Sequence, residues 1–181
     1  GMRPFTVPSM RLVAVVSFAL LAGLSACTPA LNWRDVRPPD SAAQALFPCK
    51  PEHHTRRVML AGAGLEMHLS SCSAADNLYA LGYVDVGQAD RVTPVLQALR
   101  EAAAGNMGVA TTEQGTLAVP GMTPHPLAQR LLWQGHRTDG SSMAMQATFF
   151  TQGTQVYQAT VVGSQLDREA VDTFLAGLRL R

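Results

Sequence analysis

The sequence predicts an α+β domain, a mostly antiparallel sheet of about six or seven strands packed with two amphipathic helices. Three observations carry this. Apolar and polar residues alternate with period two along several short runs. Turn-forming pairs rich in glycine separate those runs, which favours neighbouring strands joined as hairpins. Twice, after residue 90 and again near the end, the apolar spacing changes to that of a helix.

The first strand runs from Arg57 to Ala61, and Gly62-Ala63-Gly64 serves as its hairpin turn. Leu65, Met67 and Leu69 then alternate with Glu66, His68 and Ser70, giving one buried and one wet face. Leu78 to Val86 forms the third strand. Tyr79, Leu81 and Tyr83 share one side of it, and Leu78, Ala80, Gly82 and Val84 the other. Both sides are apolar, so the strand is expected at the centre of the sheet with a helix over one face. If the side bearing Tyr79, Leu81 and Tyr83 is left open, it is a candidate partner surface.

The first helix follows, with Val92, Val95, Leu96, Leu99, Ala102 and Ala103 as its stripe. Thr93-Pro94 fit a cap and first position, Asp90 is an alternative cap one turn earlier, and Gly105 is the expected stop. Residues 106–128 hold a short strand candidate near Thr116 to Val119 and then a proline-rich loop. Three strands follow, Gln129 to Arg137, Ser142 to Thr151 and Thr154 to Val162, separated by Asp139-Gly140 and Gln152-Gly153. Asp167 can cap the final helix, whose stripe is Leu166, Ala170, Val171, Phe174, Leu175 and Leu178.

The chain begins differently. Gly1 ahead of Met2 reads as a residue left by tag removal. Arg3 and Arg11 precede Leu12 to Leu24, an almost wholly apolar run of 13 residues. That is short of the roughly 20 needed to span a bilayer, and suits the h-region of a secretory signal. The run ends in Leu24-Ser25-Ala26-Cys27, which resembles the lipobox of bacterial lipoproteins. The resemblance implies cleavage before Cys27 and two or three acyl chains on that cysteine, enough for stable anchoring where one chain is marginal. Thr28 in place of an aspartate points to the outer membrane, facing the periplasm. Thr28 to Ser41, with three prolines and no period, reads as an extended tether. Its one conspicuous residue, Trp33, suits either the membrane interface or the surface of the domain. The expected divisions are 1–26 for the scar and signal, 27–43 for the lipidated cysteine and tether, and 44–181 for a single domain.

Without Arg3 and Arg11, 12 basic residues stand against 13 acidic ones, and no charge run exceeds Arg56-Arg57. That excludes the clustered basic face that nucleic acid requires and a polybasic membrane patch. With Cys27 acylated, Cys49 and Cys72 remain, and a disulfide is the simplest reading in an oxidising compartment. Two free buried thiols, or a metal or redox pair, are the alternatives.

Other chemistry is poorly supplied. His53-His54 near Glu52, with His68 on a neighbouring strand, has the residue types of a metal site, but adjacent strand residues point to opposite faces. Met143 and Met145 have the softness of copper ligands, yet they continue into Ala147 and Phe149 as a core stripe. Ser70-Ser71-Cys72-Ser73 lacks the nucleophile elbow of a hydrolase, and Gly62-Ala63-Gly64 lacks a following helix to hold phosphate. The expectation is therefore no enzyme activity, no cofactor and no metal.

One further resemblance concerns the domain. Phe47-Pro48-Cys49-Lys50-Pro51 opens it, and Tyr79-Ala80-Leu81-Gly82-Tyr83 lies on its third strand. Gly153-Thr154-Gln155-Val156-Tyr157 leads to Val161-Val162-Gly163 and a helix with Val171, Phe174 and Leu175. This order, over about 44–180, resembles bacterial domains of the PsbP/Mog1-like fold, several of them exported lipoproteins. The resemblance implies a fold, an α/β sandwich, and a role as a binding or assembly module. The expected partners are the membrane, through the lipid, and an envelope protein. A carrier of a small ligand or metal is the alternative.

Overall fold

The computed structural model describes residues 31–107 and 111–181. Cys27 and the segment before it, expected to be a signal, lie outside the described residues. The chain forms β1 (Arg34–Val36), β2 (Ala43–Phe47), β3 (Glu52–Leu60), β4 (Ala63–Ala74) and β5 (Asn77–Asp85). A short 3₁₀ turn at Ala89–Arg91 leads into α1 (Val92–Met107). Then come β6 (Thr111–Thr116), β7 (Gln129–His136), β8 (Ser142–Gln152), β9 (Gln155–Gly163), α2 (Arg168–Ala176) and β10 (Arg179–Leu180). The architecture is α+β, as the sequence predicts.

A seven-stranded sheet in the order β3-β4-β5-β9-β8-β7-β6 forms the centre, and every neighbouring pair is antiparallel. A three-stranded sheet, β1-β2-β10, packs beside it. Alternation along each strand divides the core in two. Phe47, Tyr79, Leu81, Tyr83, Phe150, Tyr157 and Phe174 lie on one face of the large sheet, under α2 and the small sheet. Val84, Val95, Leu96, Leu99, Leu131, Trp133, Met145, Ala147 and Phe149 lie on the other, under α1. The Met143–Phe149 stripe is thus part of the α1-side core.

Several boundaries differ from expectation, each for a local reason. The first hairpin turns at Ala61-Gly62, whose φ values of 50° and 77° match the primed turn that two-residue hairpins favour. Gly105 does not stop α1, which continues to Met107. The strand after it covers Thr111–Thr116 and ends where a strand at Thr116 to Val119 was expected to begin. Its pairing with β7 shifts register between Glu113 and Thr116, so no clean alternation marks it. Asp167 caps α2 as expected, its carboxylate accepting from Ala170 N at 3.2 Å.

The largest difference is the tether. Asn32 N–H donates to Pro48 O at 2.7 Å, and Arg34–Val36 pair with Phe47, Leu46 and Ala45. Leu31, Trp33 and Val36 pack against the core, and the Trp33 ring meets Tyr79 edge-on at 6.2 Å. Residues 31–43 therefore belong to the domain. Two charges in the three-residue Arg34-Asp35-Val36 hide the strand signal. Edge strands tolerate such charges because their side chains stay in water.

Candidate functional site

The tyrosine face is not a partner surface. Tyr79 and Leu81 are 0% exposed and Tyr83 is 3% exposed, so this expectation is corrected. The face holds a row of rings across four adjacent strands. His68 stacks on Tyr83 at 5.1 Å, Tyr83 leans on Tyr157 at 5.9 Å, and Tyr157 stacks on Phe150 at 5.1 Å. Over the row lies the chain's own segment 38–42. The Tyr83 hydroxyl donates to Pro39 O, Ala42 N–H donates to the Tyr157 oxygen at 3.4 Å, and Arg181 reaches Ser41 O at 3.1 Å. Beside it Phe174 of α2 seals Tyr79 and Phe47, with ring separations of 5.5 and 5.4 Å. Burial pushes the Tyr83 phenol up to about 12, helped by the Asp40 charge. Tyr79, pushed up by burial and then by Asp167, has no hydrogen-bond partner for its hydroxyl among the described residues. These phenols remain neutral and serve packing.

Cys49 and Cys72 are bonded, with their Cα atoms 5.9 Å apart, fastening the segment after β2 to β4. The histidines separate as strand geometry requires. His53 shares a hydrogen bond with Ser70 at 2.6 Å, His54 lies on the opposite side against Glu52 at 3.4 Å, and His68 faces Glu66 at 3.3 Å. No group of three metal-ligating side chains stands together among the described residues.

The other face of the sheet is not fully covered. A groove of about 620 Å³ lies between α1 and the β3–β4 hairpin. Met67 and Leu69 of β4, Gly82 of β5, Gln158 and Thr160 of β9 and Met145 of β8 form its floor, all on one side of four adjacent strands. Leu99, Ala102 and Ala103 of α1 form one wall, and Val58 and Leu60 of β3 the other. At the rim stand His54 and Arg56, while Met59, 71% exposed, alternates to the opposite face with its sulfur beside Gly64 and Arg57.

Gly82 creates this space. A Cβ built there would meet Leu69 Cδ1 at 3.7 Å and two backbone oxygens at 3.8 Å, ordinary contacts that leave the remaining volume free. On β5 Tyr79, Leu81 and Tyr83 face α2, while on the α1 side Ala80 and Gly82 stand between Leu78 and Val84. With so little side chain beneath it, the sheet leaves a hollow beside the helix. The sequence carries a signal for this, since a glycine inside a strand marks a close approach or a site. The large apolar residues on the opposite side of β5 outweigh that signal and point to the wrong face.

No protein-family model, curated protein or solved structure matches the chain.

Proposed function

We propose that the chain is a lipoprotein of the bacterial envelope, held by acyl chains on Cys27 at the periplasmic face of the outer membrane. Its domain, of PsbP/Mog1-like kind, has a non-catalytic protein-binding role exercised through the α1-side groove. The observation that carries this is the groove with its rim. Val58, Met67, Leu69, Leu99 and Met145 line a hollow of about 620 Å³, with His54 and Arg56 at its edge. The hollow lies open between α1 and the hairpin, and Met67 and Met145 in its floor give an apolar segment of a protein a surface to seat on. Methionine suits this task, because its flexible, polarizable side chain repacks on partners of varied shape.

A second reading is a carrier of a small apolar ligand. The volume falls within the range of about 300–1,000 Å³ typical of ligand sites, and Gln158 and Thr160 supply polar groups in the floor.

Gly82→Leu separates these readings from a bland surface. It fills the groove from the floor, and an unchanged melting temperature shows that the fold is kept. Crosslinked pull-down from native envelope is expected to recover one partner at near-stoichiometric yield with the wild-type chain and to lose it with Gly82→Leu. An undiminished partner yield with the variant removes the groove from the proposal. A small molecule that co-purifies with the wild type and disappears with the variant favours the carrier. For the anchor, Cys27→Ala is expected to abolish lipid labelling and to accumulate uncleaved precursor. Continued labelling would sink that part.

A further inference from the structure

We infer that one end of the domain lies directly on the lipid surface, with the β3–β4 hairpin tip pointing away from it. This rests on the proposed acylation of Cys27 and goes beyond it, because an anchor on a long tether would leave the domain free to tumble.

Chain length decides the placement. Among the described residues the first pinned backbone group is Asn32 N–H, bonded to Pro48 O at 2.7 Å. The hold is strong beyond that point: Trp33 packs on Tyr79, β1 pairs with β2, and the Cys49–Cys72 bond fastens the segment after β2 to the large sheet. From Cys27 to Asn32 is five residue steps, which reach at most about 18 Å even fully extended. A tether running to Ala43 would have reached about 58 Å. The fold removes two thirds of the expected leash.

The topology names the end that is held. Trp33 meets Tyr79, two residues from the start of β5, beside the Ala75-Asp76 turn. Asn77 of that strand pairs with Gly163 and bonds Gln165 O at 2.9 Å, so the 164–167 loop is at the same end. The Ala61-Gly62 turn and the β8–β9 turn at Gly153 lie at the opposite end. A nine-residue strand such as β5 separates the two by about 30 Å. The membrane-proximal end carries Lys50, Asp76, Asp167 and Arg168, charges of both signs, so the leash and not electrostatic attraction sets the placement. The groove floor at Gly82 and its wall at Val58 and Leu60 are then held off the bilayer, towards the partner's side.

The test uses the lipidated full-length protein in phospholipid vesicles. A fluorophore is attached at Gln165→Cys, in the proximal loop, or at Ala61→Cys, at the distal turn; both positions are exposed. Lipids carrying a headgroup quencher are expected to quench the Gln165 site several-fold more than the Ala61 site, and raising the salt is expected to leave that ratio unchanged. A flexible Gly-Ser insertion after Thr28 is expected to bring the two sites towards equality. Mass spectrometry of the Cys27 peptide is run on the same sample. Acylated protein with equal quenching at both sites overturns this inference alone; absence of acylation overturns the anchor and this inference with it.

Discussion

The two faces of the central sheet are closed by different means. On the α2 side, Phe47, Phe174 and the row from His68 to Phe150 fill the space with rings, and the hydroxyls of Tyr83 and Tyr157 tie down the segment that covers them. On the α1 side a single helix covers a sheet surface that includes Ala80 and Gly82, and a groove is left beside it. Leu78, on that same side of β5, remains 42% exposed. The contrast is written into one strand, β5, whose aromatic residues all face α2 while Ala80 and Gly82 face α1. Aromatic bulk draws cover over itself, because leaving it wet forfeits the transfer energy of each ring. Small residues place no such demand, so that side is left available for binding.

The contrast between the faces is tested most severely at Phe174. It is fully buried between Phe47 and Tyr79, so Phe174→Ala is expected to lower stability by about 3–5 kcal/mol in urea titration. A loss below that of an ordinary surface change would mean that the α2 side is not the better packed.

Gly177 follows. A Cβ at this position would stand 2.7 Å from Leu46 Cγ, closer than packing allows, so Gly177→Ala is expected to cost about 1–3 kcal/mol. Its conformation is ordinary, with φ of −80°, so the cost measures crowding and not backbone strain.

Tyr83→Phe removes the hydrogen bond to Pro39 O and is expected to cost about 1 kcal/mol at neutral pH. It also has a pH signature. The folded phenol is raised from 10.0 to about 12 by burial, so between those values the folded state holds a proton that the unfolded chain has lost. Its contribution is complete below pH 10 and disappears as the pH rises through about 12. Stability measured across that window is expected to fall less steeply in Tyr83→Phe. Equal slopes would argue that the phenol is not sealed.

The smallest effect is expected on the open side. Gly82→Ala places its methyl at ordinary contact distances, so it is expected to leave stability unchanged or to raise it by up to about 1 kcal/mol through the unfolded chain. Set against Gly177→Ala in the same thermal melt, it makes one measurement of the difference between the faces. A comparable loss from both would show the groove to be packed after all.

The strands from β7 to β9, both helices and the division of the β5 side chains follow from local periodicity, which is why they are legible in the sequence. Asp167 could be named as a cap because the cap bond is made within one turn, to Ala170. Cys49 and Cys72 could be paired because, with Cys27 set aside, no other cysteine remains. The lipobox at Cys27 is likewise a local pattern, and it stays a reading of the sequence alone.

What escaped depends on partners distant in the chain. Trp33 is ambiguous until Tyr79 is brought to it, and Asn32 until Pro48 is. The Pro38-Pro39 pair looks like a tether because its covering role is fixed by Tyr83, 44 residues away. Which face of β5 is covered could not be read from β5 itself, since both sides are apolar and the choice lies with α1, α2 and the N-terminal segment. By itself the sequence determined the central strands β4, β5 and β7 to β9, both helices and the cysteine pair, because periodicity, turns and the cysteine count are written along the chain. Only the tertiary structure decided that the tyrosines are sealed, that Gly82 opens a groove and that residues 31–43 are part of the domain. Those outcomes depend on how volume is filled between segments far apart in sequence, and local periodicity carries no record of it.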